Sequence, residues 1–456
     1  VKRLIPPAAA PAARDTSAPS PGLGPPLPLA AALSEEEPEP PGLLASDAER
    51  VVLPNGLTVL VKEVYPTSVV SLSLWVGVGS VHEPDPAAGI SHFVEHMLFK
   101  GTEKRPVGRL AQEVHELGGY LNGFTSYECT CYWIVLPSRH FATALEIASD
   151  ALLHPLFDDQ ECRREAQVIL EEMRMYQDRP DYYCFEKLMA LAFPRHRYGR
   201  PIIGTEEVVG RLSPEELRAH YRRYYRPNNM AVVVVGDIEA GEALRQVEQA
   251  LGGIEPGPVE RSRSEPEEPQ TGMRRLDLEG DLSNAHLQAG FHISDLFSEE
   301  AYAYDLLSSI LGEGRSSRLN QALRERLGLV TSISCSAFLE KDPGLLVVEA
   351  VLPPDHLAPA EEALLAELEA VAVGGVSERE LQKAKNMVEA HYVMGQETVE
   401  GQGRKLGYYE MLGDYTLAQT YVSRLARVSC DDVAAAAARA LRRDNCSLVT
   451  CRPRRG

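Results

Sequence analysis

The chain has 456 residues and a formal charge of −20. That length calls for more than one core, and that charge, with no cluster of Lys and Arg interleaved with aromatics to offset it, opposes binding to nucleic acid. No window approaches the roughly 18 consecutive apolar residues of a membrane span, which sets aside a transmembrane enzyme.

Residues 1–47 are rich in Pro, Ala and Ser and end in the acidic run Ser34 to Pro40. Such a composition buries too little apolar surface to fold and reads as a disordered tail. Ordered sequence is expected from residue 48 to 255. Val52 to Val61 reads as two short strands around the turn Asn55-Gly56, and Val69 to Val78 as a third. Residues 256–272, with Ser264-Glu265-Pro266-Glu267-Glu268-Pro269, read as a linker to a second domain spanning 273–456.

The two domains read as repeats. Leu136-Pro137 is matched by Leu352-Pro353, Ser213-Pro214-Glu215-Glu216 by Ser429-Cys430-Asp431-Asp432, and Asn229-Met230 by Asn445-Cys446, always at an offset of 216 residues. A common offset at three separated places points to duplication of one α+β unit. The eight cysteines, at 129, 131, 162, 184, 335, 430, 446 and 451, have neither paired CxxC spacing nor disulfide-scaffold density and read as buried thiols. Cys129 and Cys131 could present one strand face to a metal, but a buried pair is the default reading.

The chemistry concentrates in His92-Phe93-Val94-Glu95-His96. Apolar residues at 90, 93, 94, 97 and 98 give a helical period. Residues four apart lie on one helix face, so His92 and His96 can both offer imidazole nitrogen to one tetrahedral Zn²⁺. Glu95 borders that face, placed to accept a proton rather than to ligate. Catalytic zinc usually takes three protein ligands, and the third is sought on the helix from about Asp158, which carries Glu161, Glu165, Glu171 and Glu172. Glu165 and Glu172, seven apart, share a face, whereas Glu171 points away. The repeat supplies a control: the positions 216 residues after 92, 95 and 96 hold Ser308, Leu311 and Gly312, so one zinc per chain is expected.

At these residues the chain resembles the inverted-motif zinc peptidases of the pitrilysin and insulinase family. The resemblance extends through Leu121-Asn122-Gly123-Phe124-Thr125-Ser126-Tyr127-Glu128, Val168-Ile169-Leu170-Glu171-Glu172, Tyr198-Gly199-Arg200-Pro201 and Tyr225-Arg226-Pro227-Asn228-Asn229-Met230 to Ser316-Ser317-Arg318-Leu319 and Leu323-Arg324-Glu325. It implies two homologous α/β-sandwich domains per chain, together half of a clamshell. It implies that Glu172 is the distal zinc ligand, Glu165 its supporting carboxylate, and Glu95 the general base of a zinc-dependent endopeptidase acting on extended peptides or small unfolded proteins. Asn122, Gly123 and Phe124 fall on the family's edge strand, which pairs with substrate backbone. Gly123 stands where the family usually has a small residue with a Cβ.

The family's second domain also supplies an Arg and, seven residues on, a Tyr that reach the substrate carbonyl. Arg324 matches the first, but position 331 is Thr331. The implied partner is therefore a related subunit that brings a complete Arg/Tyr pair, in a heterodimer, or else a second copy in a homodimer. The alternative class is a non-catalytic, core-type structural subunit of a peptidase-like complex, or a peptide-binding scaffold that uses zinc for stability. Intact His92, Glu95, His96 and Glu172 favour the catalytic reading. For compartment, unpaired thiols lean toward the cytoplasm, and the Pro-rich tail would suit a periplasmic protein whose signal lies upstream.

Overall fold

A computed structural model describes residues 48–454; the Pro- and Ala-rich stretch 1–47 lies outside them. Strands β1 (Glu49–Val52), β2 (Thr58–Glu63), β3 (Val69–Val76), β4 (Tyr120–Thr125), β5 (Thr130–Pro137) and β6 (Met230–Gly236) form one sheet in the order β1-β2-β6-β3-β5-β4. Strand β6, Met-Ala-Val-Val-Val-Val-Gly, is buried along its whole length, as an apolar run in the middle of a two-sided layer must be. The second sheet holds β7 (Arg274–Gly280), β8 (Ala285–His292), β9 (Ser332–Phe338), β10 (Leu345–Leu352) and β11 (Cys446–Pro453), in the order β7-β11-β8-β10-β9.

That order repeats the first sheet from β2 onward, including one parallel pair, β2 with β6 and β7 with β11. The offset of 216 residues maps β3 onto β8 and helix Pro214–Tyr224 onto helix Cys430–Ala440 end to end. Local chemistry repeats as well. Ser213 with Glu216, and Ser429 with Asp432, close matching capping boxes, and the Nδ2 of Asn229 and of Asn445 each donates to a backbone carbonyl five residues earlier, at 2.9 Å. The two units are thus homologous α+β sandwiches, joined by residues 253–272, which form neither helix nor strand.

Each sheet packs its own helices on one face. The first core gathers Leu72, Leu74, Val232 and Val234 with Phe93 and Met97 of helix Ile90–Leu98 and Ile169 of helix Asp159–Gln177. The opposite faces are covered by exchange between units. Helix Pro180–Ala192 of the first unit lays Cys184, Leu188 and Ala192 on Leu345, Val347 and Val449 of the second sheet. Helix Val399–Leu412 of the second unit lays Val399 and Leu406 on Trp75, Trp133 and Val233 of the first. A Cβ at Gly407 would stand 2.1 Å from the Trp75 ring, so only glycine lets that helix seat on the sheet. A fork from Arg50 to Glu410 (2.7 and 3.0 Å) ties the same helix to β1.

Candidate metal centre

Helix Ile90–Leu98 is buried throughout, because Ile90, Phe93, Val94, Met97 and Leu98 fill the first core and carry the polar residues between them inside. A buried helix start needs acceptors for its first N–H groups. Glu83 supplies them: one carboxylate oxygen accepts from Gly89 N at 2.7 Å and the other from Ser91 N at 2.8 Å. Arg200 clamps the loop by donating to the carbonyls of Ser80 and Glu83, both at 2.9 Å. Burial pushes the Glu83 carboxyl up to about 7, against the pull of the two backbone N–H bonds.

The second element, helix Asp159–Gln177, starts at Asp158, whose side chain accepts from Gln160 N and Glu161 N. Its buried face, with Cys162, Ala166, Ile169 and Met173, turns Glu165 and Glu172 toward the histidines. Glu161 and Glu171 instead pair with Arg164 and Arg174 on the surface.

Between these helices, one nitrogen each of His92 and His96 and one oxygen of Glu172 lie within 4.8 Å of one another; among the described residues this is the one group of three or more ligand-type side chains so gathered. The imidazole centroids are 4.6 Å apart. His96 Nδ1 meets Glu165 Oε1 at 2.7 Å, and Lys100 pairs with the other Glu165 oxygen. Burial works to raise the Glu165 carboxyl, but the bonds from His96 and Lys100 outweigh it and hold the group below its usual range. His96 Nε2 is buried without a hydrogen bond, 3.5 Å from Glu172 Oε2. A buried ring nitrogen facing a carboxylate, beside a second imidazole, is a donor set suited to Zn²⁺. Tyr176, one turn beyond Glu172, donates to Glu172 Oε1 at 3.1 Å and steadies the side chain.

Glu95, only 1 % exposed, stands with Oε2 at 3.9 Å from His92 Nε2 and accepts from Thr125 Oγ1 at 3.3 Å. Thr125 belongs to β4, the free edge of the first sheet. On that strand Gly123 faces the base: a Cβ built there would lie 3.0 Å from Glu95 Oε1 and 3.1 Å from the Phe99 ring. Asn122 and Phe124 point to the other face, where Phe124 meets Trp75 edge-on at 5.7 Å.

Arg324 is not brought to this group. It lies exposed on the helical turn Asn320–Arg326 of the second unit, whereas His92, Glu95 and His96 are buried in the first. Among the described residues, the second unit holds no counterpart of the centre. Gly312, the repeat of His96, packs so closely on Cys335 that a Cβ would lie 2.0 Å from its nitrogen, and Leu381 and Val388 occupy the positions equivalent to Glu165 and Glu172. Glu83, Lys100, Thr125 and Tyr176 escaped sequence reasoning. Only Thr125 carried a signal, by lying within the edge-strand motif.

Two histidines and a glutamate from neighbouring helices, with a second glutamate behind one ring, form a donor set of the kind that can hold a metal ion. Residues 58–206 match the insulinase (peptidase family M16) domain and residues 211–388 the peptidase M16 inactive domain. The chain is 29 % identical over 386 residues to the uncharacterized zinc protease YmxG of Bacillus subtilis, covering 84 % of this chain and 93 % of that protein. It is 31 % identical over 395 residues to an uncharacterized zinc protease of Mycobacterium leprae, covering 85 % and 88 %. A protease from Helicobacter pylori has the same fold, with a TM-score of 0.85 at 23 % identity over 90 % of this chain and all of that one. The periplasmic protease PqqL of Escherichia coli superposes with a TM-score of 0.75 at 22 % identity, over 90 % of this chain but 48 % of its own. The chain belongs to the insulinase family, peptidase family M16.

Proposed function

We propose that the chain is a zinc-dependent endopeptidase that hydrolyses extended peptides or small unfolded proteins. The observation that carries this reading is the buried, hydrogen-bond-free Nε2 of His96 facing Glu172, with His92 beside it. His92, His96 and Glu172 would hold one Zn²⁺ per chain, which supplies Lewis acidity toward a carbonyl and toward water.

The remaining work falls to side chains of this chain. Glu95, held by Thr125 at the border of the ligand group, takes a proton on its carboxylate from the attacking water and returns it to the departing amine. Its burial keeps the carboxylate out of bulk solvent. Glu165 and Lys100 orient the His96 ring. The free edge of β4 takes the peptide backbone as an added strand, with Asn122, Gly123 and Phe124 alongside.

The halved length relative to PqqL and the position of Arg324, apart from the ligand group, support a paired assembly in which a related subunit brings an Arg/Tyr pair. Thr331, exposed before β9 with its N–H on Val351 O at 2.8 Å, has no phenol to offer. The test of the reading is incubation of the zinc-loaded chain with a quenched extended peptide, alone, with a chelator, and with a candidate partner. Metal-dependent cleavage is expected, faster with the partner; zinc binding without cleavage in any arm would favour a structural subunit instead.

A further inference from the structure

The free edge of β4 has two sides, and helix Val399–Leu412 of the second unit borders one of them. Gly123 faces Glu95, whereas Tyr120 and Phe124 face this helix. The Tyr120 hydroxyl donates to Glu400 Oε2 at 2.6 Å, and the Arg404 guanidinium lies over the rings of Phe124 (5.5 Å from the centroid) and Trp133 (5.4 Å).

Arg404 is presented rather than consumed. Its guanidinium has five N–H donors, yet among the described residues it makes no hydrogen bond, its nearest anion being Glu400 at 3.8 Å. The side chain is 30 % exposed. The faces of the two rings hold the guanidinium beside β4 by cation–π attraction and leave its N–H groups for an acceptor. Glu400 accepts from the Tyr120 hydroxyl, so an incoming carboxylate would compete for Arg404 only with a contact of 3.8 Å.

A peptide added to the edge of β4 sends alternate side chains to the two faces of the sheet. Opposite side chains of an antiparallel pair stand about 4.5 to 5.5 Å apart at Cβ. The substrate residue opposite Phe124 therefore turns toward the helix, next to the residue that lies opposite Gly123 and Glu95. We infer that Arg404 is a specificity-determining residue that selects a carboxylate at this position, carried either on an Asp or Glu side chain or on the peptide's C-terminus. The inference rests on the reading of β4 as the peptide-binding edge.

The experiment measures binding of fluorescent peptides to the zinc-loaded, full-length Glu95→Gln chain, so that it does not depend on turnover. One set of peptides moves a single Asp through a neutral sequence, a second replaces that Asp by Asn or by Lys, and a third carries the C-terminus free or amidated. Asp at one position is expected to bind about tenfold more tightly than Asn, the scale of a charge-assisted hydrogen bond. Arg404→Gln should erase that ratio while the Asn peptides keep their affinity, and Arg404→Glu should turn the preference to Lys. A ratio that follows only the free C-terminus assigns the carboxylate to the chain end. An Asp/Asn ratio unchanged by Arg404→Gln, or absence of binding by every peptide, overturns the assignment of Arg404. Thermal unfolding of both variants separates loss of selectivity from loss of the contacts with Phe124 and Trp133. Cleavage by the unmodified chain, measured in parallel, reports on the peptidase reading separately.

Discussion

Glu165 Oε1 lies 2.7 Å from His96 Nδ1, and the other nitrogen of the same ring faces Glu172. A carboxylate on Nδ1 holds the proton there and leaves the Nε2 lone pair for a metal. Glu165→Gln keeps the shape of the side chain but removes its charge. Zinc affinity is expected to fall by about tenfold or more, read by competition with a chromophoric chelator, with the far-ultraviolet spectrum unchanged. Unaltered affinity would show that the ring is oriented by its packing alone.

Glu172 and Glu171 are chain neighbours with opposite surroundings, Glu172 turned to the histidines and Glu171 paired with Arg174 in solvent. Glu172→Gln should therefore lower zinc affinity far more than Glu171→Gln, since it replaces a charged ligand by an amide. Metal analysis of the two purified variants checks this; equal losses would place the third ligand elsewhere.

Gly123→Ala adds a methyl 3.0 Å from Glu95 Oε1 and 3.1 Å from Phe99. Both, and the Cys131 carbonyl at 3.2 Å, must give by a few tenths of an ångström, and displacement of the base should cost several-fold in kcat, on the principle that small misplacements of reacting groups are expensive. Zinc content should not change. A variant with full turnover would mean that the methyl is accommodated without displacing Glu95.

The duplication and the His-x-x-Glu-His centre were legible in the sequence because both depend on local spacing. Glu165 and Glu172 share a face by helical period alone, and Asn229 and Asn445 mark equivalent turns by their place before a strand. The exchange of helices Pro180–Ala192 and Val399–Leu412 was not legible, since an apolar stripe such as Cys184, Leu188 and Ala192 states that a helix has a partner, not which sheet it is. Glu83 sits in a Gly- and Pro-containing loop that reads as solvated, and only the fold shows that its carboxylate ends a buried helix. Arg404 was hidden for the same reason, being one charge on a polar-looking helix of the other unit.

Where the two units meet, Glu340 is buried with its carboxyl pushed up to about 8, by burial first and then by the charge of Glu128, while a bond from Tyr408 (2.9 Å) opposes the shift. Glu128 lies in the turn between β4 and β5 and takes the Tyr198 hydroxyl at 2.7 Å; its carboxyl is raised as well, chiefly by burial. Between the usual 4.5 and about 8, the folded chain holds a proton at Glu340 that the unfolded chain has released, so stability falls as pH rises through that window. Glu340→Gln mimics the protonated side chain. It should raise the unfolding temperature at pH values near and above 8 and change it little near 5. A difference independent of pH would remove Glu340 from the account.

In the proposed centre His92, His96 and Glu172 hold one zinc, and Glu95 acts beside it without holding it. The direct measurement is metal content and peptide turnover of the unmodified chain and of Glu95→Gln, prepared identically in zinc without chelator. One zinc per chain in both, with cleavage confined to the unmodified chain, is the predicted result. Loss of zinc from Glu95→Gln, or cleavage that survives the substitution, would contradict it.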